Sequence, residues 1–258
     1  MSGARIDGGV SISPARYDAV VFDMDGVITD TARVHAQVWK RLFDQYLTER
    51  AGGQPVTEFD ADQDYRRFVD GKPREAGVLD FLASRGIVVP RGEPTDPPDS
   101  PTAFGLGARK DGYFNAQVER FGVTAYPSTI ALVHDLHDAG IKTAVITSSR
   151  NCELILRGAG VADLFPVRVD GALAAELGLP GKPDPAVFLE AARRLGAIPD
   201  RTVVVEDALS GVEAGRQGGF ALVIGVDRTG DAEALRGAGA DVVVADLQAV
   251  TVDDFAPS

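Results

Sequence analysis

The sequence has one cysteine, no excess of basic residues and no long apolar run. A single cysteine, Cys152, cannot close an intramolecular disulfide, which favours a reducing compartment, and we expect a cytoplasmic protein. No stretch approaches the ~20 apolar residues of a membrane-spanning helix, so no membrane association is expected. Residues 1–15 are polar and rich in Gly and Ser, without the apolar segment of a signal peptide, and are predicted to form a flexible leader.

The charge balance separates two classes of partner. Asp and Glu together number 38 against 26 Lys and Arg, a formal net charge of −12. Nucleic-acid binding needs a basic face, so no nucleic-acid partner is expected. A local basic pocket in an acidic protein can still bind a phosphorylated small molecule. The 258 residues leave room for one large domain or two modest ones.

The most informative segment is an apolar stretch, 19–22, that ends in two carboxylates. Its β-branched residues predict a buried strand, after which Gly26 permits a sharp turn. Ligands of parallel α/β sheets bind beyond the carboxyl ends of strands, and residues i and i+2 of an extended chain point the same way. Asp23 and Asp25 are therefore expected to face one small site that suits a magnesium ion, a phosphate and a nucleophile paired with an acid/base. A bare Asp-x-Asp is weak evidence, because some glycosyltransferases also use one.

Apolar strands alternate with helical stretches in the flanking parts of the chain. Strands are predicted at 18–23, 142–147, 201–207, 220–226 and 241–245. Helices are predicted at 128–139, 152–157, 186–195 and 210–217. Such alternation indicates a parallel sheet covered on both faces, so the expected fold is α/β with a doubly wound, Rossmann-like core made of residues 16–31 and 123–258.

The region 32–122 breaks this rhythm and is predicted to be an inserted, purely helical domain. Helical spacing is present at 32–46, 64–69, 75–84 and 111–121, without a strand pattern. Residues 91–107 are rich in Pro, Gly and Asp and are predicted to form a long loop within the insertion.

Residues 147–151, Thr-Ser-Ser-Arg-Asn, follow the second core strand. Thr147, Ser148, Ser149, Arg150 and Asn151 carry hydroxyl, guanidinium and amide donors that can bind phosphate oxygens. The alternative is a cluster that caps the next helix, and the two interpretations are compatible.

Two later segments add a lysine and two more acids. Lys182 lies in Gly-Lys-Pro-Asp-Pro, which does not match a nucleotide-binding P-loop; alone it would be read as a solvated surface charge. Glu206 and Asp207 end another apolar strand. Neighbouring acids repel each other unless a cation lies between them, and a cluster of hard oxygens suits Mg²⁺ better than Zn²⁺. A helix cap by Asp207 is the alternative, but it leaves Glu206 unexplained.

The segment Phe-Asp-Met-Asp-Gly-Val-Ile-Thr-Asp-Thr resembles the first motif of the haloacid dehalogenase superfamily, and its tail resembles the β-phosphoglucomutase branch. All four core segments occur in that family's order, from Tyr17 to Leu247. The resemblance implies that the helical insertion is a cap that closes over the active site. It implies the following roles: Asp23 as the nucleophile that becomes an aspartyl-phosphate, Asp25 as general acid/base, Thr147 and Lys182 as contacts of the transferring phosphate, and Mg²⁺ held by Asp23, Asp207 and the Asp25 carbonyl with support from Glu206.

The same resemblance favours a mutase over a phosphatase. In the β-phosphoglucomutase branch, counterparts of Thr31 and His35 link cap closure to the acid/base, and Trp39 shares the helix face of His35. The segment Gly71-x-x-Arg74 matches an arginine for a second, non-reacting phosphate, to which Ser149 and Asn151 also correspond. Lys110 matches a cap lysine less securely, since the long loop intervenes.

The expected activity is interconversion of β-D-glucose 1-phosphate and glucose 6-phosphate through a β-glucose 1,6-bisphosphate. The expected partner is a phosphorylated hexose, and the expected state is a monomer or weak homo-oligomer. The alternatives are a Mg²⁺-dependent phosphatase of a sugar or polyol phosphate and a catalytically silent phosphate-binding module.

Overall fold

The computed structural model describes residues 9–253 of the chain, with six parallel strands in its main sheet. The strands of the described residues are β1 (Val10–Ile12), β2 (Ala19–Asp23), β3 (Lys142–Ile146), β4 (Val167–Val169), β5 (Thr202–Glu206), β6 (Leu222–Val226), β7 (Val242–Val244) and β8 (Val250–Val252). The order across the main sheet is β4-β3-β2-β5-β6-β7. Every residue of β2, β5 and β6 is buried. Because side chains alternate between faces, both faces of the central sheet are covered, and the doubly wound α/β core is confirmed.

Helices connect the strands and form the insertion. Those of the described residues are α1 (Ala32–Ala51), α2 (Arg74–Ser84), α3 (Ala103–Phe121), α4 (Pro127–Asp138), α5 (Cys152–Gly158), α6 (Gly171–Glu176), α7 (Ala186–Leu195), α8 (Leu209–Gln217) and α9 (Ala232–Ala238). A short π-helical segment also covers Tyr65–Val69. Helix α7 packs on β2, β3 and β4, and α8 packs on β5 and β6. None of the described helices combines the length and the apolar character needed to cross a lipid bilayer.

The predicted flexible leader needs a correction at Val10–Ile12. These residues form β1, which pairs in parallel with β8 in a separate two-stranded sheet, with Val10 opposite Val250. Three-residue strands are too short for a periodicity signal, and their pairing joins the two ends of the described chain. Residues 1–8 of the predicted leader lie outside the described residues.

The chain divides into two compact units, one containing the residues up to Asp30 and from Thr124 onward, the other Thr31–Val123. The second unit contains α1, α2 and α3 and has its own apolar core of aromatic and aliphatic side chains. In that core the Phe43 ring lies 4.1 Å from the Phe81 ring, centroid to centroid.

The predicted loop at 91–107 ends earlier than expected, because α3 begins at Ala103. The hydroxyl of Thr102 accepts a hydrogen bond from the Gly105 N–H and so caps the helix. Gly105 and Gly107 looked like turn residues in the sequence, but close packing explains both. A Cβ on Gly105 would collide with the Ser100 carbonyl oxygen, and one on Gly107 would press on the Arg74 side chain.

Candidate active site

Three neighbouring strands of the core place polar residues at the same edge of the sheet. Strand β2 ends at Asp23, β5 ends at Glu206, and Thr147 directly follows β3. The three strands are parallel and adjacent, with Asp23 opposite Ile146 in the register. Carboxyl ends of parallel strands meet at one edge, so residues more than 100 positions apart in the sequence are brought together.

A buried lysine bridges two of the acids. Lys182 Nζ donates to Asp23 Oδ1 over 2.5 Å and also to Glu206 Oε1. The residue exposures are 4% for Lys182, 5% for Asp23 and 0% for Glu206, so all three charges are removed from bulk water. The alternative that Lys182 is a solvated surface charge is therefore wrong. At this depth an unpaired charge would carry a large desolvation cost, and the two carboxylates offset that cost.

The electrostatics of this trio follow from burial and proximity. The carboxylates of Asp23 and Glu206 oppose the desolvation of Lys182 and hold its pKa above the ordinary value, so the ammonium stays charged. Burial raises the pKa of Asp23, with the charges of Glu206 and Asp25 acting in the same direction and Lys182 opposing them. Both effects reflect several acids gathered around one ammonium.

Asp207 extends the acidic group. Carboxylate oxygens of Asp23, Glu206 and Asp207 lie within 4.8 Å of one another. A Cβ on Gly26 would collide with the Asp207 carboxylate, and one on Gly211 would collide with that of Glu206. The two glycines thus make room for the acids, and Gly26 also adopts a positive φ of 84°.

The donor set of this cluster fits a hard divalent cation. Its three members are all carboxylates, and Lys182 supplies only one positive charge against them. Carboxylate oxygens are hard ligands that suit Mg²⁺, and the cluster contains no thiolate or imidazole that would favour Zn²⁺.

Asp25 is held by the segment after β3. The Thr147 hydroxyl donates to Asp25 Oδ2 over 2.9 Å and accepts from the Ser149 N–H over 3.0 Å. The Ser149 hydroxyl accepts from the Asn151 N–H, and the Asn151 side chain makes no capping hydrogen bond to α5 among the described residues. The Thr147 hydroxyl thus orients Asp25 and also accepts a backbone N–H of the segment that leads into α5.

The remaining residues of this segment are placed less deeply. Ser148 is half-buried, whereas Arg150 is exposed to solvent. The structure therefore does not bring the Arg150 side chain into the buried group with Asp23 and Lys182.

Three predicted residues of the insertion lie together: His35 and Trp39 are beside the buried Lys110. Lys110 Nζ lies 2.7 Å from His35 Nδ1 and 5.5 Å from the centroid of the Trp39 ring. Phe114 stacks on His35 at 4.2 Å between ring centroids and lies 5.0 Å from Lys110 Nζ. An ammonium can only donate, so His35 Nδ1 is the acceptor in this pair. Because Lys110 projects from α3, the helix that begins within the predicted loop, the sequence alone gave it a less secure placement.

Arg74 has a partner within the insertion. It forms an ion pair with Asp111 of α3, and its side chain is 18% exposed. Gly71, three residues earlier, has a positive φ of 68°. Thr31 is buried at the start of α1, where its carbonyl accepts from the His35 N–H.

Sequence reasoning missed two residues of the core, Arg228 and Tyr126. Arg228 Nε donates to the Gly26 carbonyl over 2.8 Å, and its guanidinium carbon lies 3.8 Å from the centroid of the Tyr126 ring. A signal was present, because Arg228 follows β6 by two residues and so falls at the same carboxyl edge as the acids.

Comparison with known proteins shows which family the chain belongs to. A family model described as a haloacid dehalogenase-like hydrolase matches residues 17–219. The chain is 45% identical over 239 residues to the β-phosphoglucomutase of Mycobacterium bovis, a match that covers 91% of each chain. It is 29% identical to a phosphorylated carbohydrates phosphatase of Thermotoga maritima, over 88% of this chain and 94% of that one.

A solved structure supports the fold. The β-phosphoglucomutase of Clostridium difficile aligns with a TM-score of 0.70 at 23% identity, over 90% of this chain and 92% of that one. Relatives of the chain thus include a mutase and a phosphatase of phosphorylated sugars. The chain is an enzyme of the haloacid dehalogenase superfamily and belongs to its β-phosphoglucomutase-like family.

Proposed function

We propose that this enzyme is a phosphosugar mutase that interconverts β-D-glucose 1-phosphate and glucose 6-phosphate. The observation that carries the proposal is the buried group of Asp23, Lys182 and Glu206, with Asp207 and Asp25 beside it. The similarity to a β-phosphoglucomutase over 91% of both chains supports the choice of reaction.

In the proposed mechanism Asp23 carries the phosphoryl group. The aspartyl-phosphate donates it to a hydroxyl of the sugar phosphate: the bond from phosphorus to the Asp23 oxygen breaks, a bond to the hydroxyl oxygen forms, and Asp25 takes the hydroxyl proton. The β-glucose 1,6-bisphosphate then reorients. Its other phosphoryl group passes to Asp23, and Asp25 returns the proton to the departing oxygen.

Two contacts in the core support these roles. The Thr147 hydroxyl holds the Asp25 carboxylate by a 2.9 Å hydrogen bond, which orients it for proton transfer. Lys182 lies against Asp23 and offsets the negative charge of the group being transferred. Positioning and charge neutralisation are the main tasks in phosphoryl transfer.

Mg²⁺ is the cofactor that we propose for this site. The Asp23 and Asp207 side chains and the Asp25 carbonyl would hold it, with Glu206 nearby. When bound, the ion supplies positive charge that stabilises the transferring phosphoryl group.

We also propose that the unit Thr31–Val123 is the cap. Its buried Lys110 ammonium, hydrogen-bonded to His35 and beside the Trp39 ring, provides a positive charge suited to a phosphorylated sugar. A cap that excludes water would protect the aspartyl-phosphate from hydrolysis, which a mutase requires and a phosphatase does not.

A phosphatase of a sugar or polyol phosphate is the second candidate. The mutase hypothesis assigns Arg74 to the non-reacting phosphate, but Arg74 forms an ion pair with Asp111. The similarity to a phosphorylated carbohydrates phosphatase points in the same direction.

The deciding experiment incubates the enzyme with β-glucose 1-phosphate, Mg²⁺ and a trace of the bisphosphate. Formation of glucose 6-phosphate supports the mutase, release of inorganic phosphate supports the phosphatase, and turnover to neither product supports a silent binding module. Asp23→Asn is the matched control, because an amide cannot form the acyl-phosphate. Mutant activity close to wild type would refute the assignment of Asp23.

A further inference from the structure

Arg228 connects the turn after Asp25 to the segment by which the chain returns to the core. Its Nε donates to the Gly26 carbonyl over 2.8 Å, and its guanidinium carbon lies over the Tyr126 ring, 3.8 Å from the centroid. Tyr126 in turn donates its hydroxyl proton to Asp30 Oδ1 over 3.1 Å. We name Arg228, Tyr126, Gly26 and Asp30 the linker clasp.

The clasp lies where the chain leaves the core for the insertion and where it comes back. Thr29 and Ala125 form an antiparallel bridge. On either side of it, the Tyr126 N–H donates to the Ile28 carbonyl and the Asp30 N–H donates to the Thr124 carbonyl, each over 2.9 Å. The outgoing and returning segments are therefore paired, and Arg228 binds one while it stacks on the other.

The clasp also touches the acidic cluster through Gly26. This glycine follows Asp25 directly, and a Cβ on it would collide with the Asp207 carboxylate. The Gly26 backbone therefore lies against Asp207. A displacement of the Gly26 carbonyl would shift the turn that carries Asp25 and change its position relative to Asp207.

The loop that carries Arg228 is itself fixed. The Asp227 carboxylate oxygen Oδ1 accepts hydrogen bonds from the backbone N–H groups of Thr229, Gly230 and Asp231. Arg228 Nη1 lies 3.6 Å from the Asp246 carboxylate, and its Nη2 is buried without a hydrogen-bond partner among the described residues. An unpaired buried N–H is unfavourable, so a neutral side chain would serve better if packing were the only role.

We propose that Arg228 is a positioning residue of this enzyme, which acts through the Gly26 carbonyl to hold the Asp25 turn against Asp207 and through Tyr126 to hold the paired linkers. This inference rests on the proposed Mg²⁺-dependent phosphoryl transfer. It predicts that loss of the guanidinium weakens Mg²⁺ binding and slows aspartyl-phosphate formation, without removing any group that contacts the substrate.

The test compares Arg228→Gln and Arg228→Lys with Arg193→Gln. Arg193 is the control. It belongs to the same compact unit as Arg228, but its side chain is 69% exposed and pairs with Glu190. For each protein we would measure Mg²⁺ binding by calorimetry, kcat and KM for acetyl-phosphate hydrolysis, and the thermal unfolding midpoint. We expect Arg228→Gln to lower kcat and Mg²⁺ affinity by about tenfold, the effect of losing one charge-assisted hydrogen bond, with KM little changed.

Arg228→Lys keeps the charge but loses the planar fork, so only partial recovery is expected. Tyr126→Leu removes the stacking surface and should reproduce part of the Arg228→Gln defect. The double variant, Arg228→Gln with Tyr126→Leu, should be less impaired than the sum of the two single defects predicts, because the two side chains contact each other.

The inference is overturned if Arg228→Gln lowers only the unfolding midpoint while kcat and Mg²⁺ affinity match those of Arg193→Gln. That result would make the clasp purely structural. If the wild type turns over neither acetyl phosphate nor sugar phosphate, the proposed function fails, and calorimetric Mg²⁺ binding to the three variants alone then decides the inference.

Discussion

Lys182 Nζ lies 2.5 Å from Asp23 Oδ1, although 159 positions separate the two residues in the sequence. The same ammonium contacts Glu206, whose second carboxylate oxygen accepts from the Ala208 N–H over 2.7 Å. One buried cation thus stabilises two strand-end acids.

Replacing Lys182 by methionine should strongly destabilise the protein. The change leaves Asp23 and Glu206 buried without their cation, and breaking a buried ion pair from one side typically costs ~3–5 kcal/mol. Urea unfolding at neutral pH measures the free energy of unfolding. Lys72→Met is the control, because the exposed pair of Lys72 with Asp80 is expected to contribute only ~0–1 kcal/mol. Equal losses in the two variants would show that Lys182 does not carry the charge balance of the site.

Thr147→Val should lower turnover, whereas Thr147→Ser should preserve most of it. Valine keeps the shape but removes the hydroxyl that donates to Asp25, a bond to a charged group worth ~1.5–3 kcal/mol, or roughly 10–100-fold in rate. The measurement is kcat for the mutase reaction across pH for all three proteins. If valine and serine have the same effect, the hydroxyl does not orient Asp25.

Asp207→Ala should raise the Mg²⁺ concentration needed for half-maximal activity, and chelation should abolish wild-type activity. Asp207 is one of three acids whose oxygens lie within 4.8 Å of one another, and removing one hard ligand weakens divalent-cation binding. Activity measured against Mg²⁺ concentration checks this. Asp200→Ala is a control at an exposed aspartate outside the cluster. Full activity after thorough chelation would refute a metal requirement.

Arg74→Ala should impair mutase turnover more than acetyl-phosphate hydrolysis. Only the mutase reaction places a second phosphate in the site, and Arg74→Lys should recover part of the loss, because lysine lacks the planar fork. The ratio of the two activities is the measured quantity.

Asp111→Asn separates the two roles that the structure allows for Arg74. It breaks the ion pair but leaves the guanidinium in place. If Arg74 binds phosphate, Asp111→Asn keeps the activity ratio of the wild type. If both variants lose mutase activity and stability alike, the ion pair is structural and the phosphatase gains support.

Cys152 should resist thiol reagents in the folded protein at pH 8. Burial raises the pKa of this thiol from 9.0 to about 12, so the reactive thiolate is scarce. The folded pKa lies above the unfolded one, and the resulting contribution to stability is therefore complete below pH 9 and lost as the pH rises toward 12. Labelling of Cys152 with a thiol reagent at pH 8, with and without denaturant, tests the expected resistance. A Cys152→Ala variant should lose stability less steeply between pH 9 and 11, and an unchanged slope would contradict the expected contribution to stability.

Much of the core was predictable because its signals are local. The continuous β-branched segments of β2 and β5 indicated buried strands, and α7 was predicted with the bounds Ala186–Leu195 that it has in the structure. Strand β4 was missed, since Val167–Val169 is short, lies at the sheet edge and is only partly buried. Propensity and periodicity need several residues to rise above background.

The insertion was harder to read from the sequence. Gly105 and Gly107 carried a turn signal, yet both lie in α3, because their missing side chains allow close contacts with Ser100 and Arg74. The partner of Arg74, Asp111, lies 37 positions further along and was not predicted, since ion pairing across two helices leaves no periodic trace.

The sequence by itself determined the strand-end acids, the lysine, the order of the motifs and the family, because each depends on residues adjacent in the chain. Only the tertiary structure decided that Lys182 bridges Asp23 and Glu206, that Lys110 lies beside His35, and that Arg228 binds the Gly26 carbonyl. The physical reason is that these pairs join segments far apart in sequence, and parallel strand order and helix packing alone set the distances between them.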